Sequence, residues 1–459
     1  MIKRTLAQIA DMANAELSSP TWNEVVMEGA SIDTRTLEKR QLFIPLVGEN
    51  VDGHRFVNQA YQKGAAASFW QRDVPNPPED IPLLFVDDVL QAMQDLAKRY
   101  REQIGVKIIG ITGSNGKTST KDIVAQVVSG QFKVQKTLGN YNSQQGLPLS
   151  LFTLKEDTEV MVLEMGMSDV GQIEILSSIA APDIAIITNI GESHMETLGS
   201  RERIAEAKFE ITTGLKKDGL FIYDGDEPLL QDKVKDPNIS FTCKSFGKTK
   251  TSDIYPLAIE LKGDGTEFMV NSYPDTSLFL PVLGIHNVKN AMAAILAAQH
   301  LGMEQKVIKK QLANLQLTAM RMETIQGQNQ SLIINDAYNA SPTSMRAAIS
   351  LVHSLKGYEK KILILGDMLE LGVAEAELHQ EIGHFIAEQE IDYVFTYGTL
   401  GREIAKGMKA SKSNIEVQSY DSKTDIIEVV RPLLDRQTVV LLKASRGMKL
   451  EDLLEDLSQ

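Results

Sequence analysis

A glycine-rich segment between an apolar stretch and a helix-forming stretch has the composition of a phosphate-binding loop. It reads Gly110-Ile-Thr-Gly113-Ser-Asn-Gly116-Lys117-Thr118. Glycines let backbone N–H groups close around phosphate oxygens, the helix N-terminus adds partial positive charge, and Lys117 adds a full positive charge. Thr118 would place its hydroxyl on a magnesium ion. The position six residues before Lys117 is Ile111, where the common phosphate loop has glycine, so an ordinary strand-to-helix turn is the alternative.

Three further polar residues follow this loop at positions where strands end or helices begin. Glu164 lies at the end of an apolar strand, His194 follows the next strand, and Lys208 lies in the helix after it. A strand-end glutamate can ligate magnesium. It can also cap the next helix, and a single histidine or lysine is more often a solvated surface residue. Because open parallel sheets bind ligands at the carboxyl ends of their strands, the order of these residues favours one shared site.

The elements that must position these residues are alternating strands and helices. In the central part of the chain the apolar strands are VKIIGIT, VMVLEMG and DIAIITNI, with helices beginning at Lys117 and spanning about residues 203–215. Strands separated by helices of this length predict a mainly parallel sheet that is covered on both faces. Residues 268–283 indicate shorter strands, and residues 284–300 indicate an alanine-rich helix.

A second alternating unit begins near Ser331 and predicts a smaller open α/β sheet. Its strands are LIINDAY, KILILGDM, DYVFTYG and TVVLLKAS. The N-terminal region instead combines an amphipathic helix at residues 6–17 with strand-like residues 42–47. That region ends in the linker-like segment Pro75-Asn-Pro-Pro-Glu-Asp80. A domain boundary is therefore expected near residue 80.

The length of the chain requires more than one hydrophobic core. Its 459 residues exceed the roughly 250–300 residues at which single cores stop growing. We therefore predict an α/β protein of three domains. These are a small α/β N-terminal domain at residues 1–82, a central parallel-sheet domain with the phosphate loop at 83–315, and a C-terminal Rossmann-like domain at 316–459.

The composition disfavours several classes of function. Hydrophobic residues make up 43% and charged residues 24%, as in globular proteins. The net charge of −14 repels a phosphate backbone, so we expect no nucleic-acid partner, and a nucleotide must be held by focused local charge. The single cysteine, Cys243, excludes an intrachain disulfide and fits a reducing compartment. Because no signal segment and no window of ~20 apolar residues is present, we expect a cytoplasmic protein without a membrane span.

The glycine spacing and the motifs that follow it resemble those of the Mur ligase family. After the loop come Leu163-Glu164-Met165-Gly166, Thr188-Asn-Ile-Gly-Glu-Ser-His194 and Ala207-Lys208-Phe209-Glu210, in the family's order. The resemblance implies that ATP is bound by Gly113, Ser114, Asn115, Gly116, Lys117, Thr118 and Ser119. It also implies two magnesium ions held by Thr118, Glu164, His194 and Lys208. In the family the lysine that matches Lys208 is carbamylated, which gives the metal a carboxylate.

Three later residues extend the implied ATP site. Asn287, in Gly284-Ile-His-Asn-Val-Lys-Asn-Ala291, matches the family residue that contacts adenine, although an asparagine that caps a helix is the alternative. Arg321 matches the arginine that reaches the γ-phosphate across a domain interface, with a surface ion pair to Glu323 as its alternative. Asp336 matches the residue that binds the ATP ribose. The alternative is that this aspartate simply ends a strand.

The C-terminal domain resembles the branch of the family whose substrates are UDP-N-acetylmuramoyl-tripeptide and D-alanyl-D-alanine. The matching segments are residues 335–345, which have Ser341 in place of an asparagine, residues 365–372 and residues 443–449. The resemblance assigns Tyr338 and Asn339 to the dipeptide pocket and Asp367 to substrate binding. Gly366 and Gly372 have an ordinary alternative, because they could bracket a helix for backbone reasons alone.

Segments of the N-terminal half resemble the family region that binds UDP and the amino sugar. The substrate-binding residues implied there are Asp33, Thr34, Arg35, Gly48, Asp52, His54, Asn140 and Asn142. The family usually has serine where Thr34 stands, which keeps the hydroxyl. It has asparagine where Ser143 stands, so position 143 is given no role.

Together these matches imply an ATP-dependent, amide-forming ligase of peptidoglycan precursor synthesis. The catalytic set would be Lys117, His194, Lys208 and Arg321, acting through an acyl phosphate of the tripeptide. Because these groups come from two domains, we expect the domains to close about a hinge at residues 313–320. We also expect a monomer. The rivals are a sister ligase that adds the third amino acid, folylpolyglutamate synthase, and a nucleotide-binding regulator without the chemistry. The two ligases lack the Asp-x-Tyr-Asn segment seen at residues 336–339.

Overall fold

The computed structural model describes residues 1–411 and 415–458. They form three α/β domains in chain order, so the predicted fold class is confirmed. No helix within these residues has the length and apolar character needed to cross a membrane.

The N-terminal domain consists of short strands with two helices. In chain order the elements are β1 Lys3–Thr5, α1 Leu6–Met12, β2 Glu16–Leu17, β3 Val26–Glu28, β4 Ala30–Ser31, β5 Leu42–Phe43, α2 Val57–Gln62, β6 Ala67–Gln71 and β7 Leu83–Val86, with 3-10 turns at Pro20–Trp22 and Gly53–Phe56. One sheet has the order β2-β7-β6-β5-β4, and β1 pairs separately with β3. Helix α1 begins at a capping box formed by Thr5 and Gln8. It ends before the predicted residue 17, because Asn14 has a φ of 52° and β2 joins the sheet.

The proline-rich segment at residues 75–80 does not separate two domains, and that prediction is wrong. It joins β6 to β7, which are parallel neighbours in the same sheet. The sheet of the N-terminal domain therefore continues to Val86, beyond the boundary predicted at residue 82. Proline and aspartate are as common in a surface loop between strands as in a linker, so composition alone cannot separate the two cases.

The central domain contains the phosphate loop between β8 and α4. Its elements are α3 Val89–Ile104, β8 Lys107–Thr112, α4 Lys117–Val128, β9 Val134–Lys136, α5 Gly146–Phe152, β10 Val160–Glu164, α6 Gln172–Ala180, β11 Ile184–Ile187, α7 Met195–Leu198, α8 Arg201–Phe209, β12 Leu220–Asp224, α9 Pro228–Lys233, β13 Thr242–Phe246, β14 Pro256–Lys262, β15 Gly265–Val270, β16 Tyr273–Leu280, α10 Ile285–His300 and α11 Gln305–Ala313, with a 3-10 turn at Glu210–Thr212.

The main sheet of this domain is parallel throughout and has the order β13-β12-β11-β8-β10-β9. Strands β8, β10 and β11 are almost fully buried, as expected for continuous apolar strands covered by helices on both faces. Because β8 lies between β10 and β11, the residues that follow these three strands meet at one edge of the sheet. A separate antiparallel sheet has the order β14-β15-β16.

The C-terminal domain is a six-stranded sheet with the order β17-β18-β22-β19-β20-β21, in which only β17 is antiparallel. Its elements are β17 Glu323–Gln326, β18 Leu332–Asn335, α12 Pro342–Ser354, β19 Lys360–Gly366, α13 Glu375–Ile386, β20 Tyr393–Tyr397, α14 Gly401–Ala410, β21 Glu416–Tyr420, α15 Lys423–Val430, β22 Thr438–Lys443 and α16 Leu454–Leu457, with 3-10 turns at Gln328–Gln330, Gly372–Ala374, Arg431–Leu433, Arg446–Met448 and Leu450–Leu453.

Residues 314–322 connect α11 to β17 and are called the connector below. Buried apolar side chains continue from the central domain into the C-terminal domain, since Val282 and Leu283 belong to the same hydrophobic cluster as Met322 and Ala340. The central and C-terminal domains therefore pack directly against each other, in addition to being joined by the connector.

Candidate active site

The phosphate loop is shaped by backbone conformations that only glycine adopts easily and by contacts with the neighbouring strand. Gly113 has a φ of 148°, and a Cβ at this position would lie 1.8 Å from Thr188 Oγ1. The backbone N–H groups of Ser114 and Asn115 donate to the backbone oxygen and to Oδ1 of Asn189, at 3.1 and 2.9 Å. Asn189, which had no predicted role, thus holds the loop from the end of β11.

Lys117 is the first residue of α4, and its side chain folds back over the loop. Its Nζ donates to the backbone oxygen of Gly113 at 2.7 Å. Among the described residues no carboxylate lies within ion-pair distance of this ammonium group. Burial lowers the pKa of Lys117, and the Glu164 carboxylate opposes that shift. A cation held over the loop without a protein counter-ion is suited to an anionic ligand.

Glu164 lies beside this lysine at the end of β10 and is 4% exposed. Its two carboxylate oxygens accept hydrogen bonds from Thr118 Oγ1 at 2.9 Å and from Asn142 Nδ2 at 2.8 Å. Asn142, which was predicted to bind the sugar substrate, therefore contacts the predicted metal-binding carboxylate. Asn140 is exposed, and its backbone oxygen accepts from the Asn142 N–H at 2.8 Å.

Arg321 reaches this site from the connector. Its Nη2 donates to Thr118 Oγ1 at 3.2 Å, and its guanidinium carbon lies 4.1 Å from the centre of the Tyr338 ring. Its buried Nε has no acceptor in the described part of the chain. The alternative ion pair with Glu323 is not formed, because Glu323 Oε2 accepts from Met320 N at 2.9 Å and from an asparagine at 3.1 Å.

Asp336 forms the C-terminal side of the site together with Lys443. Lys443 lies in the matching segment 443–449, but no role was predicted for it. The Lys443 ammonium group donates to Asp336 Oδ2 and, at 3.1 Å, to the backbone oxygen of Asn339. The other Asp336 oxygen accepts from Met322 N at 3.2 Å. The one sequence signal for Lys443 is a charged residue at the end of the buried apolar strand β22.

These residues line one open cavity between the central and C-terminal domains. The lining residues come from the phosphate loop, β10, α10, the connector and the C-terminal domain: Ser114, Asn115, Gly116, Lys117, Thr118, Ser119, Glu164, Asn189, His286, Asn290, Arg321, Met322, Asp336, Asn339, Thr343, Ser344, Ala347, Ala348 and Lys443.

Asn287, the predicted adenine contact, does not line this cavity. It is 1% exposed, and its Nδ2 donates to the backbone oxygen of Leu283 at 2.9 Å, while its Oδ1 accepts from Asn290 at 3.3 Å. Asn290, one helical turn later, faces the cavity and lies against Gly116. The residue at the N-cap of α10 is Gly284, so Asn287 is not the cap either.

His194 and Lys208 lie beside the cavity but do not line it. Lys208 is 1% exposed, and its ammonium group has no hydrogen-bond or ion-pair partner among the described residues. Burial together with nearby Lys117 lowers the pKa of Lys208 far below the usual value. Burial and the same two lysines lower the pKa of His194 to about 4. The Nδ1 of His194 is 3.7 Å from the carboxylate of Glu370 in the C-terminal domain.

Two contacts that sequence reasoning missed join α12 to the phosphate-loop side. Ser341 Oγ, at the N-cap of α12, donates to Asn115 Oδ1 at 2.9 Å. Thr343 Oγ1 donates to Glu192 Oε2 at 2.6 Å. The serine that replaces the family's asparagine at position 341 therefore still contacts the loop, and the C-terminal domain lies directly against the phosphate-loop side.

Three predicted substrate residues of the N-terminal domain, Asp33, Thr34 and Arg35, have side-chain hydrogen-bond partners within that domain. The Arg35 side chain is 87% exposed and donates three hydrogen bonds of 3.0, 3.0 and 2.7 Å to the Asp33 carboxylate, and the arginine holds the pKa of Asp33 down to about 2. Thr34 Oγ1 donates to Gln59 at 3.3 Å. None of these residues lines the cavity described above.

His54 is a buried residue whose ring nitrogens both have partners. Its Nδ1 lies 2.7 Å from Asp52 Oδ1, and its Nε2 accepts from Gln71 N at 3.1 Å. This arrangement places the ring proton on Nδ1. Gly48 N donates to Val51 O at 2.9 Å in the loop that leads to Asp52. These contacts give His54 and Asp52 a structural role in the N-terminal domain.

Asp367 in the C-terminal domain also has hydrogen-bond partners within the protein. Its Oδ1 accepts from Gly401 N at 2.7 Å, at the start of α14, and its backbone oxygen accepts from Ser445 N at 3.0 Å. A carboxylate at a helix N-terminus stabilises the helix by matching its positive end. The structure thus unites the phosphate-loop, Glu164, Arg321 and Asp336 groups in one cavity, while Asp367 and the N-terminal residues lie outside it.

Comparison with known proteins agrees with this arrangement. Three family models match: the Mur ligase family catalytic domain at residues 27–101, the Mur ligase middle domain at 111–298, and the Mur ligase glutamate ligase domain at 320–446. A UDP-N-acetylmuramoyl-tripeptide–D-alanyl-D-alanine ligase of Bacillus subtilis (strain 168) is 50% identical over 459 residues, covering 100% of this chain and 99% of the relative.

Two crystal structures are similar over nearly the whole chain. MurF from Acinetobacter baumannii has a TM-score of 0.90 at 28% identity, covering 99% of each chain. MurF ligase from Thermotoga maritima in complex with ADP has a TM-score of 0.83 at 28% identity, covering 94% of this chain and 96% of that one. By the matched domains and the identity to the Bacillus subtilis enzyme, this chain belongs to the Mur ligase family.

Proposed function

We propose that this protein joins D-alanyl-D-alanine to UDP-N-acetylmuramoyl-tripeptide at the expense of ATP, in peptidoglycan precursor synthesis. The observation that carries the proposal is the cavity in which Lys117, Glu164 and Arg321 converge from two domains. The relative that is 50% identical along the whole chain supports the choice of substrates. The products would be UDP-N-acetylmuramoyl-pentapeptide, ADP and phosphate.

ATP would lie across the cavity with its phosphates over the loop formed by residues 113–119. Lys117 and Arg321 are the cations available to the phosphates, because neither has a carboxylate partner within the described residues. The buried Nε of Arg321 and Nδ2 of Asn115 are donors without acceptors there. Buried donors normally have partners, so these two support an acceptor-rich ligand at this place. Asp336, held by Lys443, would contact the ribose, and Asn290 replaces Asn287 as the residue facing the base.

Thr118, Glu164, His194 and Lys208 would hold the two magnesium ions, and the donor set fits if Lys208 is carbamylated. Among the described residues no group of three His, Cys, Asp or Glu side chains could hold a metal, and a carbamate on Lys208 would add a carboxylate to Glu164 and His194. Lys208 is buried and unpartnered, and its lowered pKa favours the neutral amine that reacts with carbon dioxide. Bound magnesium would reduce the repulsion between the anionic acceptor and the ATP phosphates.

The reaction must activate a carboxylate, which at neutral pH is ionised and resists attack by an amine. An oxygen of the tripeptide's terminal carboxylate would bond to the γ-phosphorus while the bond to the β-phosphate oxygen breaks. Lys117 and Arg321 would stabilise the charge that develops on the transferred group. The neutral amine of D-alanyl-D-alanine would then attack the carbonyl carbon of the acyl phosphate. Loss of inorganic phosphate and of the amine proton leaves the amide.

The two peptide substrates would approach from opposite sides of this cavity. The surface that carries Asp33, Thr34, Arg35 and Gly48 would border the UDP-sugar with the Asp33–Arg35 pair kept intact, and Asn140 would lie on the path of the UDP-sugar toward the phosphate loop. Tyr338 and Asn339 would border the dipeptide, since they lie next to Arg321 and Lys443. His54, Asp52 and Asp367 would support these surfaces from behind, because their polar atoms are already engaged.

The catalytic groups meet only when the C-terminal domain lies against the phosphate loop, so the enzyme would open to admit substrates. We expect a monomer that moves about the connector. Small-angle scattering should give a smaller radius of gyration with ATP and the tripeptide nucleotide than without them. An unchanged radius would refute the closure.

Phosphate release from ATP by the purified protein tests the function directly. Release should require both UDP-N-acetylmuramoyl-tripeptide and D-alanyl-D-alanine, and mass spectrometry should find the pentapeptide product. Release with a single amino acid in place of the dipeptide would point to a sister ligase. Absence of release with nucleotide binding retained would point to a regulator that lacks the chemistry.

A further inference from the structure

Helix α4 contacts the connector at two points that are one helical turn apart. Thr118 Oγ1 accepts from Arg321 at 3.2 Å, and the Asp122 carboxylate accepts from Thr318. Residues four apart lie on the same face of a helix. The connector therefore runs along one face of α4, so that fixing Thr318 against Asp122 also fixes where Arg321 lies relative to Thr118.

The Asp122 end of this contact is fixed firmly. Asp122 is 1% exposed, and its Oδ2 accepts from both the backbone N and the Oγ1 of Thr318, at 2.9 and 2.7 Å. Its Oδ1 accepts from Lys136 Nζ at 2.6 Å, and Lys121 Nζ lies 3.6 Å away. Four groups thus hold the carboxylate in one orientation, so the position of Thr318 follows from the position of α4.

The connector needs such an anchor because its backbone is unusual around Arg321. Met320 and Met322, the two neighbours of Arg321, both have a positive φ, 61° and 52°. Side-chain-bearing residues rarely adopt this conformation, and it persists only where surrounding contacts enforce it. On the C-terminal side those contacts are Met320 N to Glu323 and Met322 N to Asp336. On the other side the anchor is Thr318 on Asp122.

We propose that Asp122 and Thr318 are a positioning pair that places the Arg321 guanidinium over the phosphate loop when the domains close. The inference rests on the proposed function and deepens it, because it assigns an element of the catalytic arrangement to two residues that touch no substrate. Opening of the domains would require this pair to separate or the connector to bend after it. The pair thus couples the angle of the C-terminal domain to the helix that carries Lys117.

The test is the variant Thr318→Val, which removes the hydroxyl but keeps the branched shape. Thr318 is exposed, so the variant should fold. The matched control is Thr276→Val on β16, which removes a hydroxyl that accepts from Gln305 Nε2 at 2.6 Å, away from the site. We expect kcat to fall about tenfold in Thr318→Val. The KM for the tripeptide nucleotide should stay within about twofold, the Thr318→Ser variant should recover the rate, and Thr276→Val should match the wild type.

A merely structural role is separated by combining Thr318→Val with Arg321→Lys. If the threonine acts through the guanidinium, it should change kcat by less than about twofold once that group is absent. Two effects that multiply fully would overturn the proposal, and so would an unchanged kcat in Thr318→Val. Hydrogen exchange across residues 314–322 adds a readout independent of the substrates, because loss of the anchor should speed it.

These outcomes keep the positioning pair and the proposed function apart. A wild-type chain that fails to join the two substrates refutes the function. In that case faster exchange in the connector of Thr318→Val, with no change in Thr276→Val, still supports the anchor. Equal exchange in Thr318→Val and the wild type overturns it.

Discussion

Polar residues at the phosphate end of the cavity lack protein partners, whereas those in the predicted nucleotide-sugar region of the N-terminal domain have them. At the phosphate end, Lys117 has no carboxylate partner and Arg321 Nε has no acceptor within the described chain. In the N-terminal domain, Asp33 pairs with Arg35, and Asp52 pairs with His54. The first group is arranged to bind an anion, and the hydrogen bonds of the second group are made within the protein itself.

The difference separates groups that serve a ligand from groups that serve the fold. An unpaired buried cation costs stability, which a protein retains where a ligand supplies the counter-charge. A buried group whose hydrogen bonds are complete contributes about 1 kcal/mol per bond, and it is costly to remove because its partners are left unsatisfied. Substitutions at the phosphate end should therefore lower activity and leave stability unchanged. Substitutions in the N-terminal region should lower stability and leave activity unchanged.

The largest expected effect is on activity, from Lys117→Met. Loss of the charge over the phosphates should lower kcat by about 1,000-fold, the upper part of the range for removing one stabilising donor. The melting temperature should stay equal or rise, because burial disfavours this charge and lowers its pKa. The control is Lys107→Met, at the exposed first residue of β8, the opposite end of this strand from the phosphate loop. Parallel loss of melting temperature and activity in Lys117→Met would make the lysine structural and break the comparison.

Lys208→Met should lower turnover by about 100-fold while the chain stays folded, because methionine keeps most of the buried volume. Wild-type protein equilibrated with carbon-13 bicarbonate should show a carbamate carbon signal by NMR, and the variant should lack it. Turnover close to that of the wild type would refute the carbamate as a metal ligand. A retained NMR signal in the variant would place any carbamate on another lysine.

His54→Leu should show the reverse pattern. It leaves Gln71 N without its acceptor and removes the ring hydrogen bond to Asp52, so unfolding should become easier by about 2 kcal/mol, while kcat changes less than about twofold. The exposed His300→Leu on α10 is the control, with an expected change within about 0.5 kcal/mol. Urea unfolding and steady-state kinetics measure the two quantities. A selective rise in the KM for the tripeptide nucleotide would show that His54 touches substrate after all.

The same contrast explains how far the sequence could be interpreted. The parallel sheet and its phosphate loop were predictable, because β8, β10 and β11 are continuous apolar strands that end in glycine or polar motifs. Strand β14 was missed because all of its residues are exposed or half-buried and form no apolar run. The segment at 75–80 was misassigned because a loop inside a sheet and a linker have the same composition.

The missed site residues were hidden for a different reason. Asp122 and Lys443 are buried charges in a helix and a strand, and their partners, Thr318 and Asp336, are 196 and 107 positions away in the chain. Asn290 differs from Asn287 only by one turn of α10, and sequence spacing does not tell which of the two faces the cavity. Motif order identified the cavity, but only the fold tells which polar atoms remain free.

The smallest expected effect is that of Arg35→Gln, because Arg35 is exposed and its pair with Asp33 is screened by water. The melting temperature should fall by no more than about 2 °C at neutral pH.

The pKa of Asp33 is lowered to about 2, chiefly by its hydrogen bonds with Arg35. A lowered pKa stabilises the folded chain above the unfolded value of about 3.9, and this is lost as the pH falls toward 2. The gap between wild type and variant should therefore be constant above about pH 4 and should close below it. If the gap persisted at pH 2 the ion pair would not be its cause. If the KM for the tripeptide nucleotide rose more than tenfold while the melting temperature held, Arg35 would belong with Lys117 among the ligand-serving residues.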